Sequence, residues 1–154
     1  MPLKKLVDFL DSNHIQYVNI KHSRAYTAQE VAASAHIPGK EMAKTVMIKV
    51  DGKLAFSVLP ASYQVDFDLL KRSLGANQVE LAAEEEFKAV FPECELGAMP
   101  PFGNLYDMEV FAAEKLSEDE EIAFNAGSHT ELIRLKYDDF DRLVKPKVIR
   151  FSAT

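Results

Sequence analysis

Apolar residues recur at Leu3, Leu6, Val7 and Leu10, the i, i+3, i+4, i+7 spacing of one helix face, and predict a helix over residues 3–12 that ends at Asn13-His14. Residues 16–21 alternate loosely, with Tyr17, Val18 and Ile20 supplying β-propensity, and predict a strand. Thr27, with Glu30 three residues on, forms a capping box that opens a helix through Ala35, stopped by Pro38-Gly39. The clearest local pattern is residues 43–50 and 53–59 around Asp51-Gly52. Two β-rich runs flanking Asp-Gly predict a hairpin with a tight turn, and Pro60 closes it.

The pattern continues with a helix over residues 65–74, Asp66 and Asp68 near its start and Gly75 at its C-terminus. A strand follows over 78–81, then an acidic-start helix over 84–91 ended by Pro92. Residues 105–112, 122–125 and 131–135 are strand candidates, 137–144 a terminal helix, and 148–151 an edge strand. No repeat, linker or low-complexity tract interrupts this order, so the expectation is one α+β domain over residues 1–154.

Composition narrows the function. With 154 residues, 47% hydrophobic and 27% charged, the chain can bury a core without disulfides or a structural metal. The single cysteine, Cys94, rules out an intrachain disulfide and any paired-cysteine zinc motif, and favours a reduced, cytoplasmic setting. Asp8 interrupts the N-terminal apolar stretch, which has a helical period rather than that of a signal peptide. No apolar run approaches the ~18 residues of a membrane span. A net charge of −6 argues against a broad nucleic-acid surface, so contact with nucleic acid must be confined to one end of the ligand.

Three segments are candidates for chemistry. Lys44 shares a strand face with Val46 and Ile48; if that face is buried, the ammonium must meet an anion or carbonyls, and otherwise it is a strand-end lysine reaching for water. Gly97-Ala98-Met99-Pro100-Pro101-Phe102-Gly103 is a stiff loop whose backbone N–H groups can stabilise an oxyanion, or a plain connection. Asn125-Ala126-Gly127-Ser128-His129-Thr130 is a polar turn in which His129 can orient water or hold an adenosine or phosphate. There is no Gly-x-Ser-x-Gly elbow, His-Glu-x-x-His motif or Cys/His cluster, so neither a metal nor a cofactor is expected. Cys94, flanked by Glu93 and Glu95, is a poor nucleophile.

Taken in order, Ala43-Lys44-Thr45-Val46, the hairpin, the segment 81–91, the Gly97–Gly103 loop and Asn125-Ala126-Gly127-Ser128-His129 resemble the YbaK/EbsC family. These are free-standing relatives of the editing domain inserted in bacterial prolyl-tRNA synthetases, and the likeness covers residues 15–145. The resemblance implies an α+β fold with a mixed, barrel-like sheet surrounded by helices. It also implies hydrolysis of the ester joining a wrong amino acid to tRNA. The family's lysine maps onto Lys44 and the glycine of its Gly-x-x-Pro loop onto Gly97, which the resemblance makes the catalytic positions. A second glycine-bearing loop of the family maps around Gly127. His22 (or else a structural strand-end histidine), Tyr26, Thr27, Pro100, Phe102, Gly103, Gly127, Ser128 and His129 are the expected substrate-binding positions.

The chain departs from family patterns at two places. Thr45 stands where the alanine-editing branch often has asparagine. Asn125–His129 has neither a double glycine followed by arginine nor His-Pro-Leu-x-Asn. Pro100, Pro101 and Phe102 are expected to stiffen the Gly97 loop and form an apolar pocket wall that favours a small side chain, so the expected activity is deacylation of mischarged aminoacyl-tRNA carrying a small residue of the alanine, cysteine and serine class. The ligand is the acceptor end, a synthetase or elongation factor is the candidate source of further tRNA affinity, and no membrane is involved. The alternatives are a non-catalytic aminoacyl-tRNA or synthetase-binding module, and a small-molecule ester hydrolase.

Overall fold

A computed structural model describes residues 3–22, 32, 35 and 37–153. The predicted capping box at Thr27 and most of its helix lie outside the described residues. The first helix, α1 (Lys4–Ser12), buries Leu6 and Leu10 as its period requires, and β1 (Tyr17–Lys21) follows. The predicted hairpin is β2 (Ala43–Val50) and β3 (Lys53–Pro60), antiparallel, with Val50 opposite Lys53 at the turn. Asp51 and Gly52 both take positive φ, +50° and +85°, the left-handed pair that a two-residue type I′ connection needs. The Asp51 carboxylate also accepts the backbone N–H groups of Asn77 and Gln78 at 2.9 and 2.8 Å, tying the turn to the approach of β5 (Val79–Leu81).

Between the hairpin and β5 lie β4 (Gln64–Val65) and α2 (Phe67–Leu74). The helix starts later than the pattern suggests because Val65 pairs with Ser152 of the last strand, β10 (Ser152–Ala153), a partner far away in sequence. Asp66 instead caps α2 by accepting from the Leu69 N–H, and Gly75 ends it at φ +64°. The helix expected over 84–91 is α-helical only in α3 (Glu84–Phe87) and tightens to a 3-10 turn over Lys88–Val90. Residues expected to begin a strand at Leu105 form a 3-10 turn, Gly103–Tyr106, broken by Asp107 at φ +55°. The strand β6 (Val110–Ala113) starts only afterwards. Then come β7 (Glu121–Asn125), β8 (Glu131–Lys136), α4 (Tyr137–Val144) and β9 (Lys147–Ile149).

The strands form a mixed five-stranded sheet in the order β5-β2-β3-β6-β9 and an antiparallel three-stranded sheet in the order β1-β8-β7. A parallel bridge between Met42 and Ala123 joins β2 to β7. Arg134 of β8 braces this junction through Glu41 at 2.7 Å and Glu121 at 3.5 Å. The α+β expectation with a mixed sheet thus holds, the two sheets being joined through this bridge.

The main core fills the space between the sheets. Met47, Phe56, Val58, Val110 and Ala112 come from one sheet, Ile122, Phe124, Ile133 and Leu135 from the other. Two smaller clusters cover the outer faces. Ala32, Ile37, Met42, Ala61, Ala123 and Leu132 form one; Ile48, Leu59, Leu70, Phe111 and Phe151 anchor the other.

Gly103 sits against the main core. A Cβ there would lie 2.6 Å from Val110 Cγ2 and 2.9 Å from Phe56 Cδ1, closer than real contacts allow. Overpacking of this kind costs about 1–3 kcal/mol. Gly103→Ala is expected to lower the urea midpoint accordingly with an unchanged m-value; an unshifted midpoint would show that this corner of the core yields freely.

Candidate active site

Lys44 owes its setting to strand alternation. On β2, Ala43 and Met47 point into the main core, while Met42, Val46 and Ile48 point outward. Lys44 shares that outward parity and faces Leu59 across the hairpin. Met42 belongs to one outer cluster and Val46 and Ile48 to the other, so Lys44 marks the seam between them. The side chain is half-buried, and burial pushes its pKa below the ordinary lysine value. No described residue forms an ion pair with it. An ammonium held between apolar clusters, with no counter-charge among the described residues, is suited to bind an anion or a polarised carbonyl.

The two loops suspected from sequence meet and are sewn together by backbone hydrogen bonds. Gly127 N–H donates to the Ala98 carbonyl at 2.9 Å, and Glu95 N–H donates to the Gly127 carbonyl at 2.8 Å. The Glu95 carboxylate accepts the His129 N–H at 2.9 Å, and His129 Nε2 lies 2.8 Å from the Leu96 carbonyl. Glu95 therefore fixes both loops, through its backbone and its side chain. Its only sequence signal was charge beside Cys94, which gives no hint of a partner at His129. Gly97 (φ +84°) and Gly127 (φ +99°) hold conformations that L side chains rarely adopt. An ideal Cβ on Gly97 would meet only His129 Cε1, at 3.7 Å, an ordinary contact, so φ rather than crowding within the protein explains this glycine. On Gly127 a Cβ would sit 3.1 Å from Leu3 Cβ, since the Leu3 N–H bonds to the Ala126 carbonyl at 2.8 Å.

The remaining candidates divide. His22 extends β1 toward the same loop, its N–H donating to the Thr130 carbonyl at 2.9 Å, and Ser128 Oγ lies 3.3 Å from Thr130 Oγ1. Tyr26 and Thr27 lie outside the described residues. Pro100 is buried beneath the Gly97 loop. Phe102 is fully buried among Phe9, Phe124 and Phe140, with ring centroids 6.1, 5.5 and 5.8 Å away, so its ring is core rather than the apolar pocket wall the loop suggested. Gly103 has the same packing role. Burial raises the Cys94 thiol to about 11, which keeps it protonated near neutrality and unsuited to nucleophilic attack. Among the described residues no group of three or more His, Cys, Asp or Glu side chains is arranged to hold a metal.

A family model described as the aminoacyl-tRNA editing domain matches residues 22–143. The chain is 26% identical to the multifunctional Ser/Thr-tRNA deacylase ProXp-y of Escherichia coli (strain K12), over 98% of this chain and 93% of that protein. It is also 34% identical, over 84 residues, to the proline–tRNA ligase of Bacillus mycoides (strain KBAB4); this match covers 54% of the chain and only 15% of the ligase. Among solved structures, one described as a candidate trans-editing enzyme for prolyl-tRNA synthetase superposes with a TM-score of 0.82 at 18% identity, covering 98% of this chain and 96% of that one. A hypothetical protein superposes with a TM-score of 0.86 at 16% identity, covering 97% of this chain and all of that one.

Gly97→Ala forces a non-glycine residue to φ +84° but meets no clash. The expected stability loss is about 1 kcal/mol. If the loop backbone contacts the reacting ester, a shift of roughly 1 Å lowers turnover about a hundredfold. Melting temperature and single-turnover deacylation, measured side by side, check this; a large melting shift with undiminished turnover would make the glycine purely structural.

Proposed function

The chain belongs to the aminoacyl-tRNA editing domain family, and we propose that it deacylates tRNA carrying a small amino acid of the alanine, cysteine, serine and threonine class. The observation that carries this reading is Lys44, a half-buried ammonium with no counter-charge among the described residues, at the seam of two outer apolar clusters.

An aminoacyl ester is already activated, so positioning and charge stabilisation can supply most of the acceleration. Water adds to the ester carbonyl and releases one proton, leaving a tetrahedral oxyanion. The bond from that carbon to the ribose oxygen then breaks. The ribose oxygen takes up the released proton, and the new carboxylic acid loses its own proton to solvent and departs as the carboxylate. Lys44 attracts the terminal phosphate or the developing oxyanion. The loop containing Gly97, held by Glu95 and Gly127, offers backbone donors of fixed direction beside His129. Nothing in this scheme calls on a thiol, a triad or a metal. Only the acceptor end has to enter, which reconciles tRNA binding with the net charge of −6. Similarity to a Ser/Thr-tRNA deacylase supports a small hydroxylated or aliphatic side chain, and the match to a proline–tRNA ligase supports a synthetase as partner. No helix among the described residues is long and apolar enough to cross a membrane.

Lys44→Met tests both function and energetics. Deacylation is expected to fall about a hundredfold or more. Because burial lowers the Lys44 pKa in the folded state, the unfolded chain binds more protons between that lowered value and the ordinary 10.5. Wild-type stability therefore rises with pH through this window, the cost of the buried charge being greatest below it. The methionine variant is expected to melt no lower than wild type at neutral pH, with any advantage fading above pH 10. Normal deacylation of alanyl-, seryl-, threonyl- and cysteinyl-tRNA by a folded Lys44→Met protein would reject the assignment. A wild type that binds these substrates without cutting them would indicate a binding module instead.

A further inference from the structure

The outer face around Lys44 contains a second polar group, Asn125, the first residue of the polar turn read from the sequence. Asn125 ends β7 opposite Leu132 of β8, and Leu132 in turn pairs with Ile20 of β1. Ala123, Leu132 and Ile20 all belong to the outer cluster, whereas Ile122 and Phe124 face the main core, so Asn125 has outward parity. The parallel bridge pairs Met42 with Ala123. Stepping two residues along both strands from that bridge reaches Lys44 on one and Asn125 on the other, on the same face. The Asn125 Oδ1 is buried and accepts no hydrogen bond from any described residue. A buried amide oxygen left without a donor costs about 1–3 kcal/mol, so its retention needs a reason.

We propose that Asn125 is a substrate-binding residue whose Oδ1 accepts a hydrogen bond from a neutral hydroxyl of the aminoacyl-ribose end. The neighbouring charge selects the donor. An α-ammonium placed against Asn125 would also lie beside the Lys44 ammonium and be repelled; a hydroxyl is not. Lys44 and Asn125 then form a complementary pair, the cation for the phosphate or ester oxygen and the amide oxygen for the hydroxyl next to it. Two hydroxyls of the ligand have this chemistry, that of a seryl or threonyl side chain and the free vicinal hydroxyl of the ribose. The proposal rests on the deacylase reading for the identity of the ligand, but binding tests it independently of turnover.

The experiment measures the affinity of wild type, Asn125→Leu and Asn125→Asp for uncleavable, amide-linked aminoacyl-tRNA. Four ligands are used: seryl and alanyl, each with and without the vicinal ribose hydroxyl. Asn125→Leu is expected to bind the hydroxyl-bearing ligand about tenfold or more weakly, while Asn125→Asp, which keeps an acceptor oxygen, retains most of the affinity. A loss confined to the seryl ligands identifies the side-chain hydroxyl and makes Asn125 a specificity determinant. Equal loss for seryl and alanyl ligands, absent when the ribose hydroxyl is missing, identifies the ribose. Circular dichroism confirms folding; if Asn125→Leu does not fold, Asn125→Ser, which shortens the reach of the acceptor, takes its place with the same expectation. Unchanged affinity in the apolar variant, equal loss in the leucine and aspartate variants, or failure of wild type to bind any of the four overturns the proposal. Tight binding without hydrolysis of the cleavable esters would uphold it while refuting the deacylase reading.

Discussion

Met42 and Ala123 pair in parallel where two sheets of different construction meet. The outward parity of Lys44 and Asn125 follows from that junction. It fixes which side of β2 turns outward, and the outward parity of Met42 passes to Lys44. It also aligns β7 with β2, so that the end of β7 leads directly into the turn carrying Gly127 and His129. Arg134 holds the junction from outside, through the carboxylates of Glu41 before β2 and Glu121 on β7.

The site is built from opposing costs. Lys44 loses hydration between apolar clusters, and Gly97 and Gly127 occupy backbone conformations that only glycine tolerates well. Glu95 offsets part of this by accepting the His129 N–H and donating its own N–H to the Gly127 carbonyl, above the main core. Phe102, closely surrounded by aromatic rings, anchors the loop from below while Gly97 stays exposed at its rim. A preorganised loop of this kind directs donors without reorganising during the reaction, as an enzyme lacking a strong nucleophile requires.

Much of this was legible in the sequence, for identifiable reasons. The β2–β3 hairpin followed from Asp51-Gly52, since only a left-handed pair fits so short a connection, and α2 followed from Asp66 and Gly75 as caps. Local chemistry decides such features. Features set by distant partners were not legible: Val65 joins a strand because of Ser152, and Leu105 lies in a 3-10 turn because Gly103 must fit against Val110 and Phe56. The same division runs through the site. The face of Lys44 could be read from alternation, and the glycine loops from composition. The roles of Glu95 and Phe102 could not, because each depends on contacts more than twenty residues away. Asn125 was visible as one polar letter in a turn; only the strand register sets it beside Lys44.

Lys44 meets no counter-charge among the described residues, a cation left to receive an acceptor from the ligand. The most direct measurement is an NMR titration of the Lys44 side chain, observed through its Cε and Nζ nuclei, in the free protein and in complex with uncleavable seryl-tRNA. Expected are a free-state pKa below that of ordinary lysines and a rise when the ligand supplies an anion or carbonyl. A free-state value equal to that of the exposed lysines, unmoved by the ligand, would contradict it.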